Sequence, residues 1–592
     1  GDADGLAASL KGLLPIYPVT ATVYSWDVQK AVQVALDLVA EVPDVFPEEL
    51  REQYSLLDVF TALRWIHAPD DYQQVGAARK RFRFEEALVT QLVLARRRRE
   101  LRAQGGQART GGQGHLLAAF DARLPFELTQ GQREIGEVLE EELARPHPMN
   151  RLLQGEVGSG KTLVAVRAML RTVDSGGQAA LLAPTEVLAQ QHHRSITGML
   201  GDLASGGMLG GAAEATSVAL LTGSMTKAQR QESMLRIASG EAGIVIGTHA
   251  LLEQHVTFAD LGLVVVDEQH RFGVEQRAAL TDKAGTPPHV LVMTATPIPR
   301  TVAMTVFGDL EISTLAELPA GRAPIQTNVV PLADKPHWID RVWERVREEV
   351  AKGHQVYVVC PRITGDEPEE GERDLRDIDE EGNDTTPQVS LTAVEELHEE
   401  LARGPLADLR LGVLHGRLAP DQKEQTMQRF AAGQVDVLVA TTVIEVGVDV
   451  ANATAMVLLD AERFGVSQLH QLRGRVGRGG LPGLCLLVTR SEAGSPARDR
   501  LEAVAASTDG FELSRIDLDQ RREGDVLGKS QSGFRSSLQN LRVLRDEKTI
   551  VSAREAAEAL LDDDPALAKA PRLAEAVATM EQSRHSGFME KA

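Results

Sequence analysis

One pattern restricts the fold more than any other. Short apolar runs, AALLA from Ala179, VALL from Val218, IVIG from Ile244, LVVVDE from Leu263 and LVMTAT from Leu291, are separated by longer amphipathic stretches. A second series follows, with VYVVC from Val356, GVLHG from Gly412, VDVLVAT from Val435, AMVLLD from Ala455 and LCLLVT from Leu484. A strand that is apolar throughout, rather than at every second residue, must be covered on both faces. Parallel strands joined by crossover helices meet that condition. The expected fold is therefore α/β, with two tandem doubly wound parallel-sheet lobes.

Around these lobes the pattern is helical. Apolar residues at threes and fours in QKAVQVALDLVAEV and EEALVTQLVLARRRREL predict a helical leader, and residues 103–114 (AQGGQARTGGQG) read as a flexible linker or exposed loop. The expected segments are 1–114, a helical N-terminal part with its linker; 115–320, the first lobe; 321–495, the second lobe, after the turn-rich PAGRAP; and 496–592, a helical hairpin, a loop and a tail. A chain of 592 residues has room for several domains of ~150 residues each. It opens on Gly1 in sequence that already looks mid-domain, so part of the natural N-terminus is expected to be missing.

The net charge of -22 argues on its face against a polyanionic partner. Much of the excess sits in residues 366–384 (DEPEEGERDLRDIDEEGND), too acidic to fold and read as a solvated loop. Basic residues cluster elsewhere: Arg96 to Arg99, read as a solvated face; Arg473 to Arg478; and Arg515, Arg521 and Arg522. Aromatic residues make up only 4%, which disfavours a base-stacking platform and leaves backbone contacts as the mode of any nucleic-acid binding. Two cysteines, Cys360 and Cys485, give no basis for a disulfide framework or a four-ligand zinc site and fit a reducing cytoplasm. No run approaches the ~20 apolar residues of a membrane span.

Between the strand-like RLLQ and the helical TLVAVRAML lies GEVGSGKT, residues 155–162. Gly155, Gly158 and Gly160 let backbone amides turn inward around phosphate, Ser159 lies within the turn, Lys161 can reach terminal phosphates, and Thr162 can hold Mg²⁺. Downstream, DEQH from Asp267 ends an apolar strand, where ligands bind in open α/β sheets. Asp267 suits the magnesium shell, and Glu268 suits polarising an attacking water. Upstream, LPFELTQGQ offers Gln132 for adenine, with Phe126 as an apolar neighbour. The expected ligands are ATP and Mg²⁺.

The second lobe ends in QLRGRVGR, residues 471–478, where Arg475 and Arg478 are placed to stabilise γ-phosphate charge across a cleft. Gly447 and Asp449, in TTVIEVGVDV, face the same cleft. Arginines that act only when two lobes close would link ATP binding to domain closure. Thr185, Thr222 and Gly223, Thr294 and Thr296, and Thr441 and Thr442 lie in turns suited to holding nucleic-acid phosphates or relaying closure.

Taken together, GEVGSGKT, APTEVLAQQH, LTGS, DEQHRFGV, TATPIPRT, VYVVCPRI, GVLHGRL, TTVIEVGVDV and QLHQLRGRVGRG stand in the order of superfamily 2 helicases, and most resemble the RecG family. DEQH followed by RFGVEQR discriminates, since the related transcription-repair coupling factor carries DEEH. The resemblance continues through residues 498–533, similar to a helical hairpin and loop that in this family transmit lobe movement to translocation along duplex DNA. It implies two RecA-like lobes and ATP-driven remodelling of branched DNA, namely replication forks and Holliday junctions, in recombination and repair. It also implies a cytoplasmic motor that works as a monomer, with single-stranded-DNA-binding protein as a partner and Arg522, Lys529 and Gln531 as DNA contacts. The chain departs from the family twice. Its loop reads GKSQSG from Gly528 instead of GTRQSG, and the match starts at residues 13–20, after the family's N-terminal wedge barrel. Alternatives are a duplex translocase like the coupling factor, a non-hydrolysing ATP-gated clamp, and an RNA helicase, which lacks that hairpin.

Overall fold

The computed structural model describes residues 13, 15–17, 24–39, 41–112, 114–156, 158–206, 212–223, 225–253, 255–267, 285–295, 298–299, 303–304, 308, 310–316, 324–361, 394–441, 450–477, 480–520, 540–541 and 545–589. They fall into two compact units, one of residues 104–298 and 311–520, the other of residues 1–103, 299–310 and 521–592.

The larger unit holds two all-parallel sheets. The first is built from β1 (Asn150–Gly155), β2 (Gln178–Leu182), β3 (Ser217–Leu221), β4 (Ala242–Gly247), β5 (Leu261–Asp267), β6 (His289–Thr294) and β7 (Glu311–Leu315), in the order β3-β4-β2-β5-β6-β1-β7. The second contains β8 (Ile325–Pro331), β9 (Gln355–Val359), β10 (Leu411–Leu414), β11 (Val437–Ala440), β12 (Ala453–Leu458) and β13 (Gly483–Thr489), in the order β10-β11-β9-β12-β13-β8. The apolar runs become strands for the reason anticipated. In β9, Tyr357 and Val359 enter one hydrophobic core while Val356 and Val358 enter another on the opposite face. The apolar-run pattern did not mark β7 or β8. Both are edge strands, and their mixed sequences EISTL and IQTNVVP leave several side chains partly exposed.

Residues 104–112, within the segment read as a flexible linker or exposed loop, are mostly exposed but are tied down by hydrogen bonds. They form an ordered strap: the Gly106 amide donates to Pro146 O (2.9 Å), the Arg109 amide to Leu143 O (2.6 Å), and the Gly111 amide to Ser175 Oγ (2.8 Å). Arg109 is buried and makes a bidentate pair with Asp260, at 2.7 Å for each bond. Glycine is required on both sides of the guanidinium, because a Cβ on Gly177 or Gly262 would approach it to 2.6 or 2.7 Å. Within the segment itself Gly106 and Gly114 are closely packed, against Pro148 and Asp174, whereas nothing lies within 4 Å of a Cβ on Gly105. Beyond the strap, the Asp174 carboxylate accepts the Leu116 and Leu117 amides and caps helix Leu116–Arg123 from a distant part of the chain.

Helices Pro496–Ala506 and Gly510–Gln520 belong to the same unit, with Leu501, Val504 and Leu513 buried in the core of the second sheet. In the smaller unit the central element is helix Tyr72–Ala103, whose residues Ala87 to Ala95 are buried all round. Helices Val59–His67, Glu547–Asp563 and Pro571–Met589 pack on it, so helices from both ends of the chain share one unit. The solvated face expected for Arg96 to Arg99 is corrected for two of the four. Arg98 is buried and donates to Gly308 O and Glu558, and Arg99 donates to Leu561 O (2.6 Å) and Asp562. Their partners come from segments far along the chain, which no local pattern reveals. The acidic stretch 366–384 lies outside the described residues.

Candidate functional site

In the first sheet β6 lies between β1 and β5, with Gln154 level with Thr294 and Asp267 level with Met293. All three strands are parallel, so Gly155, Thr294 and Asp267 emerge together at one sheet edge. Gly155 is closely packed: a Cβ there would lie 2.8 Å from both Leu315 O and Ser159 Oγ. Gly158 and Gly160 adopt φ of +84° and +86°, the left-handed region that L side chains avoid. This turn delivers the chain into helix Lys161–Asp174, whose N-cap, Gly160, has no side chain to cap it. No N-cap side chain therefore competes with an outside acceptor for the first turn of this helix. Ser159 is 1% exposed, and its Oγ has no hydrogen-bond partner among the described residues. A helix start without a capping side chain, an orphaned buried hydroxyl and left-handed glycines fit the phosphates of a nucleotide. Lys161 Nζ lies on the loop itself, donating to Gly155 O (2.6 Å) and Glu156 O (2.8 Å), and Thr162 follows it, half-buried.

Gln132 is tied into this loop. Its Oε1 accepts the Thr129 amide (3.0 Å) while Thr129 Oγ1 accepts the Gln132 amide (3.2 Å), a capping box that starts helix Gln130–Leu143. Its Nε2 donates to Ser159 O (3.3 Å), and it is buried. Phe126 is 56% exposed and lines an open cavity with Asp121, Leu124 and Arg133. The amide and the ring therefore have different surroundings.

Asp267 ends β5 with its Oδ2 2.5 Å from His192 Nε2, on helix Glu186–Leu200. His192 was not singled out in the sequence. The available signal was its position seven residues, two helical turns, after Thr185, in a segment already marked. Gln154 was also missed, because a glutamine inside a strand looks structural. It is buried, its Nε2 donates to Thr314 Oγ1 (2.9 Å), and its Oε1 accepts the Ile298 amide (3.1 Å), pinning the segment after Thr294 to β1. Thr294 is itself buried. Glu268 and Thr296 lie outside the described residues, as do Gly447, Asp449, Thr442, Arg478, Arg522, Lys529 and Gln531.

In the second lobe Arg475 lies just past Gly474, the C-cap of helix Val466–Arg473, and is half-buried. The arginine before it, Arg473, is buried and donates to Val504 O (2.6 Å) and Ser507 O (2.8 Å), fastening that helix to the helical pair 496–520. Thr441 is buried at the end of β11, its amide donating to Leu414 O (3.1 Å). On the first lobe, Thr185 caps helix Glu186–Leu200 by accepting the Leu188 amide (3.3 Å), and Gly223 abuts Glu186, whose Oε1 lies 3.0 Å from where a Cβ would be. Thr222 is fully buried, its Oγ1 lacks a partner among the described residues, and it lines a cavity of about 350 Å³ with His193, Arg194 and Glu424. Arg194 and Glu424 pair at 2.9 Å across that cavity, joining the first lobe to the second.

Three families match along the chain: DEAD/DEAH box helicase over residues 130–305, helicase conserved C-terminal domain over 341–480, and ATP-dependent DNA helicase RecG, domain 3, C-terminal, over 507–580. The chain is 56% identical over 559 residues to the ATP-dependent DNA helicase RecG of Mycobacterium bovis, covering 94% of this chain and 74% of that relative. It is 40% identical to the RecG of Bacillus subtilis, covering 94% of this chain and 76% of the relative. Among solved structures, RecG bound to a three-way DNA junction aligns with a TM-score of 0.68 at 35% identity, covering 91% of this chain and 66% of that one. The chain thus spans about two thirds of the length of the protein in that structure.

Proposed function

The chain belongs to the RecG family of ATP-dependent DNA helicases, and we propose that it is a motor that hydrolyses ATP to translocate on duplex DNA and remodel branched junctions. The observation that carries this reading beyond a generic helicase motor is the helical pair 496–506 and 510–520. Its Leu501, Val504 and Leu513 are built into the core of the second lobe, where a change in the lobe must move the pair. An RNA helicase motor has no use for that pair. The relative seen on a three-way junction makes branched DNA the substrate class to test.

In this reading the amides after Gly160, the Ser159 hydroxyl and Lys161 bind the β- and γ-phosphates. Gln132 senses adenine from its place against the loop, and Phe126 supplies the apolar contact. Thr162 and Asp267 would hold a magnesium ion, whose chemistry is to neutralise charge on the phosphate oxygens. His192 orients the Asp267 carboxylate. Glu268 polarises the attacking water, and Arg475 and Arg478 stabilise the charge of the transferred phosphoryl group, with Gly447 and Asp449 on the same side of the cleft. Thr185, Thr222, Gly223, Thr294, Thr296, Thr441 and Thr442 hold or follow the DNA backbone, and Arg522, Lys529 and Gln531 follow the duplex. We further assign the protein to the cytoplasm, as a motor that works as a monomer and meets single-stranded-DNA-binding protein at forks. Among the described residues no helix is long and apolar enough to cross a membrane.

ATP turnover measured side by side with a three-way junction, linear duplex, single-stranded DNA and RNA tests the assignment. Stimulation should be greatest with the junction, and should fall steeply with added salt because phosphate contacts release counterions. Equal stimulation by junction and linear duplex would support a bare duplex translocase, and stimulation by RNA alone would overturn the reading. Lys161→Ala should abolish turnover, whereas Glu268→Gln should bind ATP without hydrolysing it.

A further inference from the structure

We propose that Glu156, the second residue of the phosphate loop, is a positioning residue that couples occupancy of that loop to helix 510–520. Its carboxylate reaches out of the loop: Oε1 accepts the Gly510 amide at 2.8 Å and lies 3.6 Å from His470 Nε2. Gly510 opens helix 510–520, so its amide is one of those with no partner inside the helix. The Asp509 carboxylate accepts the next two amides, Phe511 (2.8 Å) and Glu512 (3.3 Å), which leaves the Gly510 amide to Glu156. A carboxylate at this end of a helix also sits favourably in the helix dipole.

The second contact has a defined polarity. Arg473 Nη2 lies 2.7 Å from His470 Nδ1, and since a guanidinium can only donate, Nδ1 accepts. The neutral ring then carries its proton on Nε2, the nitrogen that faces Glu156. At its other end, helix 510–520 holds the start of helix 466–473: Asp517 accepts the Val466 amide (3.2 Å) and the Ser467 hydroxyl (3.1 Å). Glu156 therefore touches a frame made of helix 510–520 and the helix that leads to Arg475. From residue 520 the chain runs straight into the segment containing GKSQSG.

The nucleotide side of the coupling is the same residue. The Glu156 carbonyl, with that of Gly155, accepts Lys161 Nζ. A phosphate that draws the ammonium toward itself takes a donor away from these carbonyls, and the loop must readjust at Glu156 while its carboxylate grips the Gly510 amide. Phosphate arrival is thereby felt at the base of helix 510–520 without passing through the arginines of the second lobe.

This rests on the motor reading above, and the test separates the two. The readout is the amount of third strand displaced from a triplex on linear duplex DNA per ATP hydrolysed. If the unaltered protein shows no DNA-stimulated turnover, the motor reading fails. Glu156→Ala and Gly510→Pro, which removes the same amide at a helix position where proline is tolerated, should each lower the ratio about tenfold, the size expected from losing one charge-assisted hydrogen bond. The double variant should be no lower than either single one. Glu156→Gln, which keeps an acceptor oxygen, should retain most of the ratio. An unchanged ratio in Gly510→Pro, or a double variant whose loss is the product of the two single losses, overturns the proposal. Should Glu156→Ala fail to fold, Gly510→Pro and Glu156→Gln still decide it.

Discussion

Replacing Gly160 with alanine tests how tightly the phosphate loop is built. Gly160 sits at φ +86°, and the added Cβ would lie 2.1 Å from Gln132 Nε2. The left-handed conformation costs a non-glycine residue roughly 1–2 kcal/mol. Gln132 must also withdraw, losing its bond to Ser159 O, worth about 1 kcal/mol. Its side of the Thr129 capping box is strained at the same time, at a further cost of about 1 kcal/mol. The sum is about 3 kcal/mol. A free loop can relieve it by leaving its present shape, so the cost is recovered only when phosphate forces that shape back. Affinity for a non-hydrolysable ATP analogue should therefore fall by on the order of a hundredfold, with a smaller loss of thermal stability. Calorimetric titration of both proteins measures it. An affinity within twofold of the unaltered protein would refute the argument, since it would mean that neither the backbone conformation nor the Gln132 contact matters to phosphate binding.

Two further outcomes concern stability. Arg109→Ala should destabilise the larger unit by roughly 1–2 kcal/mol, because it empties the buried place of the guanidinium and breaks its bidentate pair with the partly exposed Asp260, and should expose the strap to protease; an unchanged cleavage rate would mean the strap is held by its backbone bonds alone. In the second lobe, burial by itself would raise the Glu349 pKa, but hydrogen bonds from Thr454, Lys352 and His354 and the charge of Arg345 outweigh it and hold the carboxyl down at about 2 from its usual 4.5. A depressed carboxyl stabilises the fold above the unfolded value, and that contribution is lost as pH falls from 4.5 toward 2, by on the order of 3 kcal/mol. Melting curves of the protein and of Glu349→Gln across that range should converge at the acid end, and parallel curves would contradict the assignment.

The two-lobed α/β architecture was legible because inner parallel strands are apolar on both faces and therefore leave continuous runs in the sequence. The phosphate loop was legible because its glycines, lysine and threonine lie on consecutive residues, so local chemistry specifies it. What the sequence could not supply is what depends on meeting a distant segment. Arg109 looked like part of a slack linker until Asp260, Gly177 and Gly262 were found around it. Arg98 looked solvated until Gly308 and Glu558 closed on it. His192, Gln154 and Glu156 carried no signal of their own, since a histidine on a helix, a glutamine in a strand and an acid in a loop are each ordinary. Only tertiary structure set them against Asp267, Ile298 and Gly510. Periodicity and adjacent motif residues are written along the chain and can be read there, whereas a hydrogen bond between residues hundreds of positions apart exists only once packing has fixed both ends, and in this protein those are the bonds that tie the loop to the rest of the motor.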